Sequence, residues 1–354
     1  MSRFLKEHFD KLTAYTPGEQ PKDGEYIKLN TNESPFPPAP EVVKAIGKIQ
    51  IESLRLYPDP TCAVLKDKIA RLYEVNKECV FLANGSDDIL NFAFMAFSER
   101  GAAFADITYG FYKVFADLHG VPYEEIPLKD DFSIDPLDYV GKNKLIALAN
   151  PNAPSGKALT LEEIETVLKG NLDSVVLVDE AYVDFGAESA LPLLRKYDNL
   201  LVVRTFSKSR CLAGGRLGYA FASREIIEDL EKIKYSTNPY LINTLTQKAG
   251  IATIEAQSYY EEKCKEIMSV REYTTEKLEE LGFEVVPSST NFIFAKHPRI
   301  GGEELYLKLK ARRILVRHFS GERIKEYNRI TIGTKEQMDK LLEITEEILG
   351  GVKE

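Results

Sequence analysis

Four stretches of this chain are nearly unbroken apolar runs, and each ends abruptly in polar residues. CVFLA (79–83) runs into NGSDD, KLIALA (144–149) into NPNAPSG, SVVLV (174–178) into DEAY, and NLLVV (199–203) into RTFSKSR. Continuous rather than alternating hydrophobicity fits strands buried on both faces, which means a mostly parallel sheet covered by helices. Helical stretches do separate the runs. One is expected from near Asp87, with Ile89, Phe92, Ala93, Ala96 and Phe97 on one face; another enters at Thr160, where Thr160 and Glu163 form a capping box. The expected fold is α/β, and sheets of this kind bind ligands at the carboxyl ends of their strands. The four polar ends therefore read as one site.

The last hundred residues differ in texture. A long charged helix around 257–281 precedes the strand-like FEVVP and NFIFAK, then a further helix, RILVRHF and RITIG, and a final helix entered through a second capping box, Thr334 with Gln337. This reads as a smaller α+β unit. TNESPFPPAP (31–40) reads as a crossing linker, so the expected division is a large domain of residues 36–255 and a small domain made of 1–35 and 256–354.

Composition narrows the partners. The net charge of -9, with no basic block, argues against nucleic acid and anionic membrane. Runs such as LIALA are too short to span a bilayer. MSRFLKEHFDKL is amphipathic, with Phe4, Leu5, His8, Phe9 and Leu12 at helical spacing, so it does not read as a signal-peptide core. Cys62, Cys79, Cys211 and Cys264 form no CxxC, and no zinc-like spacing joins them to the four histidines, so no metal site is expected. A soluble cytoplasmic protein with reduced thiols is the expectation.

The strand ends supply complementary chemistry. Lys208, in SKSRCLAGGRLG, is an amine on a flexible stem that forms an imine with an aldehyde when neighbouring cations such as Arg210 and Arg216 activate it. Ser207, Arg216 and the glycine-rich turn are equipment for a phosphate. Gly85 and Ser86 open a helix, whose N-terminus favours an anion, and Asp87 suits its first turn. An aldehyde that carries a phosphate is pyridoxal 5′-phosphate. Asp179, buried at a strand end, needs a cationic partner, and a protonated pyridine nitrogen is one. Tyr182 and an Asn of NPNAPSG could hydrogen-bond the ring oxygen, and Tyr109 of ITYGFY could stack on the ring. Singly, each motif has an ordinary reading as a turn, a cap or a packed tyrosine, and Asp179 also suits a nucleotide-binding strand. No GxGxxG follows the first strand, however.

NPNAPSG, DEAY and SKSRCLAGGRLG, in this order, resemble the fold-type I pyridoxal-phosphate aminotransferases, from LNTNESP (29–35) to NRITIGT (328–334). LRLYPDP (54–60), RILVRHF (313–319) and NRITIGT are similar to the histidinol-phosphate branch. The resemblance implies that Lys208 carries the cofactor and acts as catalytic base. It also implies that Gly85, Ser86, Ser207 and Arg216 hold its phosphate, with Asp179 on the ring nitrogen, Tyr182 on the ring oxygen and Tyr109 stacked. Tyr57 would reach the phosphate in a partner subunit's site, which implies a homodimer. Arg329 would bind a substrate carboxylate or phosphate, with Arg317 and Tyr15 as further substrate contacts. The implied reaction is transamination between histidinol phosphate and 2-oxoglutarate; the alternatives are an aromatic amino-acid aminotransferase, a decarboxylase of a phosphorylated amino acid, and a non-catalytic ligand-binding protein.

The chain departs from the pattern in places. Ala153 stands where the family has Asn before Pro-Thr-Gly, Ser155 replaces the Thr, and Ile107 replaces the Pro of Pro-Thr-Tyr. Asn152, the nearest amide, is the residue then expected to take the ring-oxygen contact.

Overall fold

The structure, a computed structural model, describes residues 3–10, 12–13, 16–20, 24–49 and 51–351. Its strands in chain order are β1 (Ile27–Lys28), β2 (Val80–Ala83), β3 (Ala102–Ala105), β4 (Tyr123–Ile126), β5 (Leu145–Ala149), β6 (Val176–Asp179), β7 (Leu200–Thr205), β8 (Gly218–Ala222), β9 (Glu284–Val286), β10 (Phe292–Lys296), β11 (Ile314–Leu315), β12 (Arg317–His318) and β13 (Asn328–Thr331).

Seven strands form one sheet in the order β2-β8-β7-β6-β5-β3-β4. β7, β6, β5, β3 and β4 are parallel, and β8 runs antiparallel to both of its neighbours. Every residue of β2, β3, β5, β6, β7 and β8 is buried. The period of two explains this: Val176 and Val178 enter one apolar core while Leu177 enters the other, on the opposite face. Only the edge strand β4, YEEI, keeps polar residues half exposed. The fold is therefore the expected α/β arrangement. Its helices start where the sequence places them. Thr160 Oγ1 accepts the Glu163 N–H at 3.3 Å and the Glu163 carboxylate accepts the Thr160 N–H at 2.8 Å, closing the capping box.

A second, antiparallel sheet has the order β12-β13-β10-β9, and β1 pairs in parallel with β11. The helices Gln257–Glu280 and Lys335–Gly350 pack beside it around a third core that includes Ile293, Ile330, Met338 and Leu341. Leu29 belongs to that core. Its N–H donates to the Leu315 carbonyl at 2.8 Å, and its own carbonyl accepts the Thr331 N–H at 2.9 Å. The chain from Leu29 to Glu33 thus leaves the small sheet and crosses to the ends of the large one.

Beneath those ends lies a charged cluster that fixes the segments after β6 and β7. Arg204 of β7 donates through Nε and Nη2 to Glu180 Oε2, both at 2.9 Å, and through Nη1 to Tyr73 Oη at 3.2 Å. Glu180 also accepts from the Ala190 N–H at 2.6 Å and from Ser189. The Glu180 side chain is 0% exposed and that of Arg204 7%. Removing one partner of such a pair leaves the other charge buried and poorly met, which costs about 3 kcal/mol or more, whereas replacing both with apolar groups costs far less. Glu180→Gln is accordingly expected to lower the thermal midpoint by several degrees, and Arg204→Met combined with Glu180→Leu to recover most of the loss. Calorimetry on the three proteins checks this; a double variant no better than Glu180→Gln would show that the pair is not the source.

Candidate active site

Parallel pairing brings Ala149, Asp179 and Val203 level across β5, β6 and β7. The residues that follow open into one cleft of about 360 Å³. Ser86 and Asp87 line it from beyond β2, Pro151 and Ala153 from beyond β5, Asp179 from the end of β6 and Tyr182 from beyond it, Ser207 and Lys208 from beyond β7, and Arg216 from the return toward β8. Tyr109 forms part of the wall. The strand ends that the sequence singled out do converge.

At one part of this cleft the backbone is drawn close. Gly218 approaches so near the Gly85–Ser86 peptide that a Cβ there would lie 2.4 Å from Ser86 N. Gly85 has φ +91, and a Cβ on it would meet the Arg216 guanidinium at 2.8 Å. Both positions therefore require glycine. The helix Ser86–Phe97 begins here, and its first-turn N–H groups have no intrahelical acceptor. Arg216 Nη2 donates to Asp87 Oδ2 at 2.9 Å, and Tyr109 Oη donates to Asp87 Oδ1 at 2.8 Å. Gly85 shapes this corner without lining the cleft.

Asp179 is 5% exposed. Tyr112 Oη donates to its Oδ2 at 2.9 Å and the Ala181 N–H to its Oδ1 at 3.2 Å. Burial pushes the carboxyl up to about 7, with the charges of Asp87 and Glu180 adding to the rise and the two hydrogen bonds opposing it. Lys208 Nζ donates to the Thr31 carbonyl at 3.3 Å and lies 5.7 Å from the centre of the Tyr182 ring. Thr31 and Glu33 line the cleft as well. Burial works against the charge on Glu33, but bonds from Lys28 and Thr31 outweigh it and hold the carboxyl below its usual value.

Several expectations are revised by the geometry. Asn152, 1% exposed, does not line the cleft. Its Nδ2 donates to the Ile107 carbonyl at 2.9 Å and to Ser155 Oγ at 3.2 Å, and its Oδ1 accepts from Thr108 Oγ1 at 2.7 Å. The amide holds a turn together, and Ala153 presents only a methyl group to the cleft. Arg210 does not act beside Lys208: it turns away to Tyr73 Oη at 3.2 Å and Gln257 Oε1 at 2.5 Å. Arg317 and Arg329 face one another across β12 and β13, outside the residues lining the cleft. Arg329 Nη2 donates to the Asn30 carbonyl at 3.0 Å, and both guanidinium groups lie 5.7 Å from the Phe319 ring centre. Tyr57 is 80% exposed and stacks on Tyr240 at 4.4 Å, away from the cleft. Tyr15 lies outside the described residues. The contributions of Thr31, Asn32, Tyr112 and Glu33 were missed; two act through a backbone carbonyl or a distant tyrosine, for which the sequence carries no signal.

An amine, a cup for an anion and a buried carboxylate in want of a cation, all lining one cleft, are the donor set that pyridoxal 5′-phosphate requires. Residues 24–344 match the family model described as aminotransferase class I and II, and the chain belongs to that family. Its relatives include the histidinol-phosphate aminotransferase of Brachyspira hyodysenteriae, 51% identical over 346 residues that cover 97% of this chain and 98% of that one. That of Marinomonas sp. is 51% identical over 346 residues, covering 96% and 98%. Among solved structures, histidinol-phosphate aminotransferase from Sinorhizobium meliloti in complex with pyridoxal-5′-phosphate is similar with a TM-score of 0.90, at 23% identity, over 100% of this chain and 99% of that one.

The raised Asp179 carboxyl has a measurable consequence in the cofactor-free protein. An ordinary aspartate in the unfolded chain loses its proton near 3.8, whereas the native one holds it to about 7. The native state thus binds the extra proton between these values, and stability falls as pH rises through that window, by up to roughly 4 kcal/mol. Asp179→Asn lacks this loss. The melting temperature of the variant, relative to the parent, is expected to rise by roughly 5 °C between pH 4 and pH 8; a difference independent of pH would remove the buried-charge account.

Proposed function

We propose that the protein transfers the amino group of L-histidinol phosphate to 2-oxoglutarate, giving imidazole acetol phosphate and glutamate, with pyridoxal 5′-phosphate as cofactor. The observation that carries the chemistry is the convergence of Lys208, Asp179 and Arg216 on one cleft. The substrate is supported by relatives of that name at 51% identity over nearly the whole chain.

When bound, the cofactor supplies an aldehyde that takes up the amino group and a ring that spreads the negative charge left on the substrate carbon. Ser86 with its helix N-terminus, Ser207 and Arg216 would hold the phosphate, with Gly85 giving Arg216 room. Asp179 would hold the proton of the ring nitrogen; a cation there gives the buried carboxylate the partner it lacks. Tyr182 would meet the ring oxygen, and Tyr109, anchored by Asp87, would pack on the ring. Lys208 takes the proton from the amine-bearing carbon and returns it, acting as general base and then general acid. The segment Thr31–Glu33 stands over the lysine and limits its contact with water. Arg329 and Arg317 do not line the cleft, but Arg329 is held on the Asn30 carbonyl beside Thr31, which does. The pair would bind the anionic end of either substrate where it projects past Thr31, since guanidinium forks suit both a phosphate ester and a carboxylate.

The same reading makes the enzyme a cytoplasmic homodimer. Tyr57 is exposed beside Leu54 and Leu56, which are also exposed, and does not reach its own cleft. A second copy would bury this patch and carry Tyr57 to the partner's phosphate.

The test is the visible absorbance of the cofactor-loaded protein on titration with histidinol phosphate and, separately, with phenylalanine. Complete conversion at lower concentrations of histidinol phosphate is expected; preference for phenylalanine would make the protein an aromatic aminotransferase, and release of carbon dioxide a decarboxylase. Lys208→Ala is expected to lower turnover at least about 100-fold with the fold retained. Normal turnover in that variant would remove the lysine from the mechanism.

A further inference from the structure

Asn32 is buried, has φ 56, and belongs to no strand. Its backbone N–H donates to Thr331 Oγ1 at 3.0 Å, and its carbonyl accepts Asn291 Nδ2 at 3.0 Å. Thr331 Oγ1 already receives the backbone proton and sends its own to Asn32 Oδ1 at 3.0 Å. That contact orients the amide, because an oxygen must face the hydroxyl proton. Nδ2 is therefore the end directed at Tyr182 Oη, 2.9 Å away.

A phenol has one proton to donate. With Asn32 donating to Tyr182 Oη, the hydroxyl's own proton is not spent on the amide and remains for whatever enters the cleft. That direction matters here because Ala153 brings a methyl group to the cleft wall and the amide of Asn152 is engaged elsewhere. The Tyr182 ring is otherwise flanked by Phe292, edge-on at 5.1 Å, and by the ammonium of Lys208; Asp179 also lines the cleft.

We propose that Asn32 is a positioning residue that fixes Tyr182 as a hydrogen-bond donor toward the oxygen of the cofactor ring. It acts from the small sheet through Thr331, so the donor direction in the cleft is set by the crossing segment and not by the large sheet. The proposal rests on the reading of the cleft as a pyridoxal-phosphate site.

The experiment is a pH titration of the visible absorbance of the cofactor-loaded protein and of four variants. A donor to the ring oxygen favours its anionic form, so loss of the donor raises the midpoint. Asn32→Gly accepts φ 56 without strain and removes only the amide; it should raise the midpoint by about half to one pH unit, the size of one net hydrogen bond. Asn32→Asp draws the Tyr182 proton to itself and should raise it further, toward or beyond the value for Tyr182→Phe. Adding Asn32→Gly to Tyr182→Phe should move nothing more. An unchanged midpoint in both Asn32 variants, or an equal shift with Tyr182 absent, would overturn the assignment. Absence of any cofactor band in the parent protein would instead overturn the pyridoxal-phosphate reading itself.

Discussion

In-register parallel pairing of β5, β6 and β7 is the constraint on which the site depends. Ala149, Asp179 and Val203 sit in one row, so the polar segments leave β5 and β6 at one level, and β7 runs only two residues further before its own begins. Segments far apart in the chain thereby become neighbours with no specific contact needed to gather them. The strands can hold that row because both of their faces are buried, and a slip by one residue would exchange the contents of the two cores. Fold stability and site geometry are in this sense one property.

Charge is managed differently on the two sides of those strand ends. Behind them, Glu180 and Arg204 satisfy each other, and Asp184 accepts from the Ser209 hydroxyl. In front, Asp179 has, among the described residues, a phenol and one N–H as hydrogen-bond donors, and its carboxyl is raised. Two acidic residues adjacent in sequence thus have opposite fates, one neutralised by the fold and one left for a ligand. The chain leaves β6 between them: Asp179 is the last residue of the strand, and the Glu180 N–H donates to the Val203 carbonyl at 2.8 Å while its side chain turns to Arg204.

The long apolar runs made the centre of the large sheet legible: β2 and β5 fall within them, and β6 and β7 begin in them and run on to Asp179 and Thr205. β3 (AAFA) is built of small residues, and β4 (YEEI) is an edge strand with polar residues, so neither carries a long apolar signal. RILVRHF reads as one strand but divides: Ile314–Leu315 pairs with β1 and Arg317–His318 with β13, a split decided by two partners and not by the heptapeptide. In the site, residue types that are chemically unusual at a strand end could be picked out, such as Lys208 and Asp179. Asn152 could not be judged, because a turn of Asn, Ala, Pro and Ser has no period to say which residue faces the cleft. The role of Thr31 lies in a carbonyl that every residue has, and that of Asn32 in a contact across 150 positions of sequence.

The single reversed strand has a consequence for how the site is prepared. Because β8 runs back beside β7, Thr205 and Gly218 are ladder partners, and the intervening segment is a loop pinned at both ends by the same sheet. Phe206 N–H to the Leu217 carbonyl at 2.9 Å tightens its neck, and Thr246 Oγ1 holds it from outside through the Gly215 carbonyl at 2.9 Å. Lys208 and Arg216 both stand on this closed loop. Its closure entropy is met when the sheet forms, so the backbone positions that carry the amine and the guanidinium are tied together before any ligand arrives. Folding does the ordering that binding would otherwise have to do, and the affinity of the cleft is spared that cost.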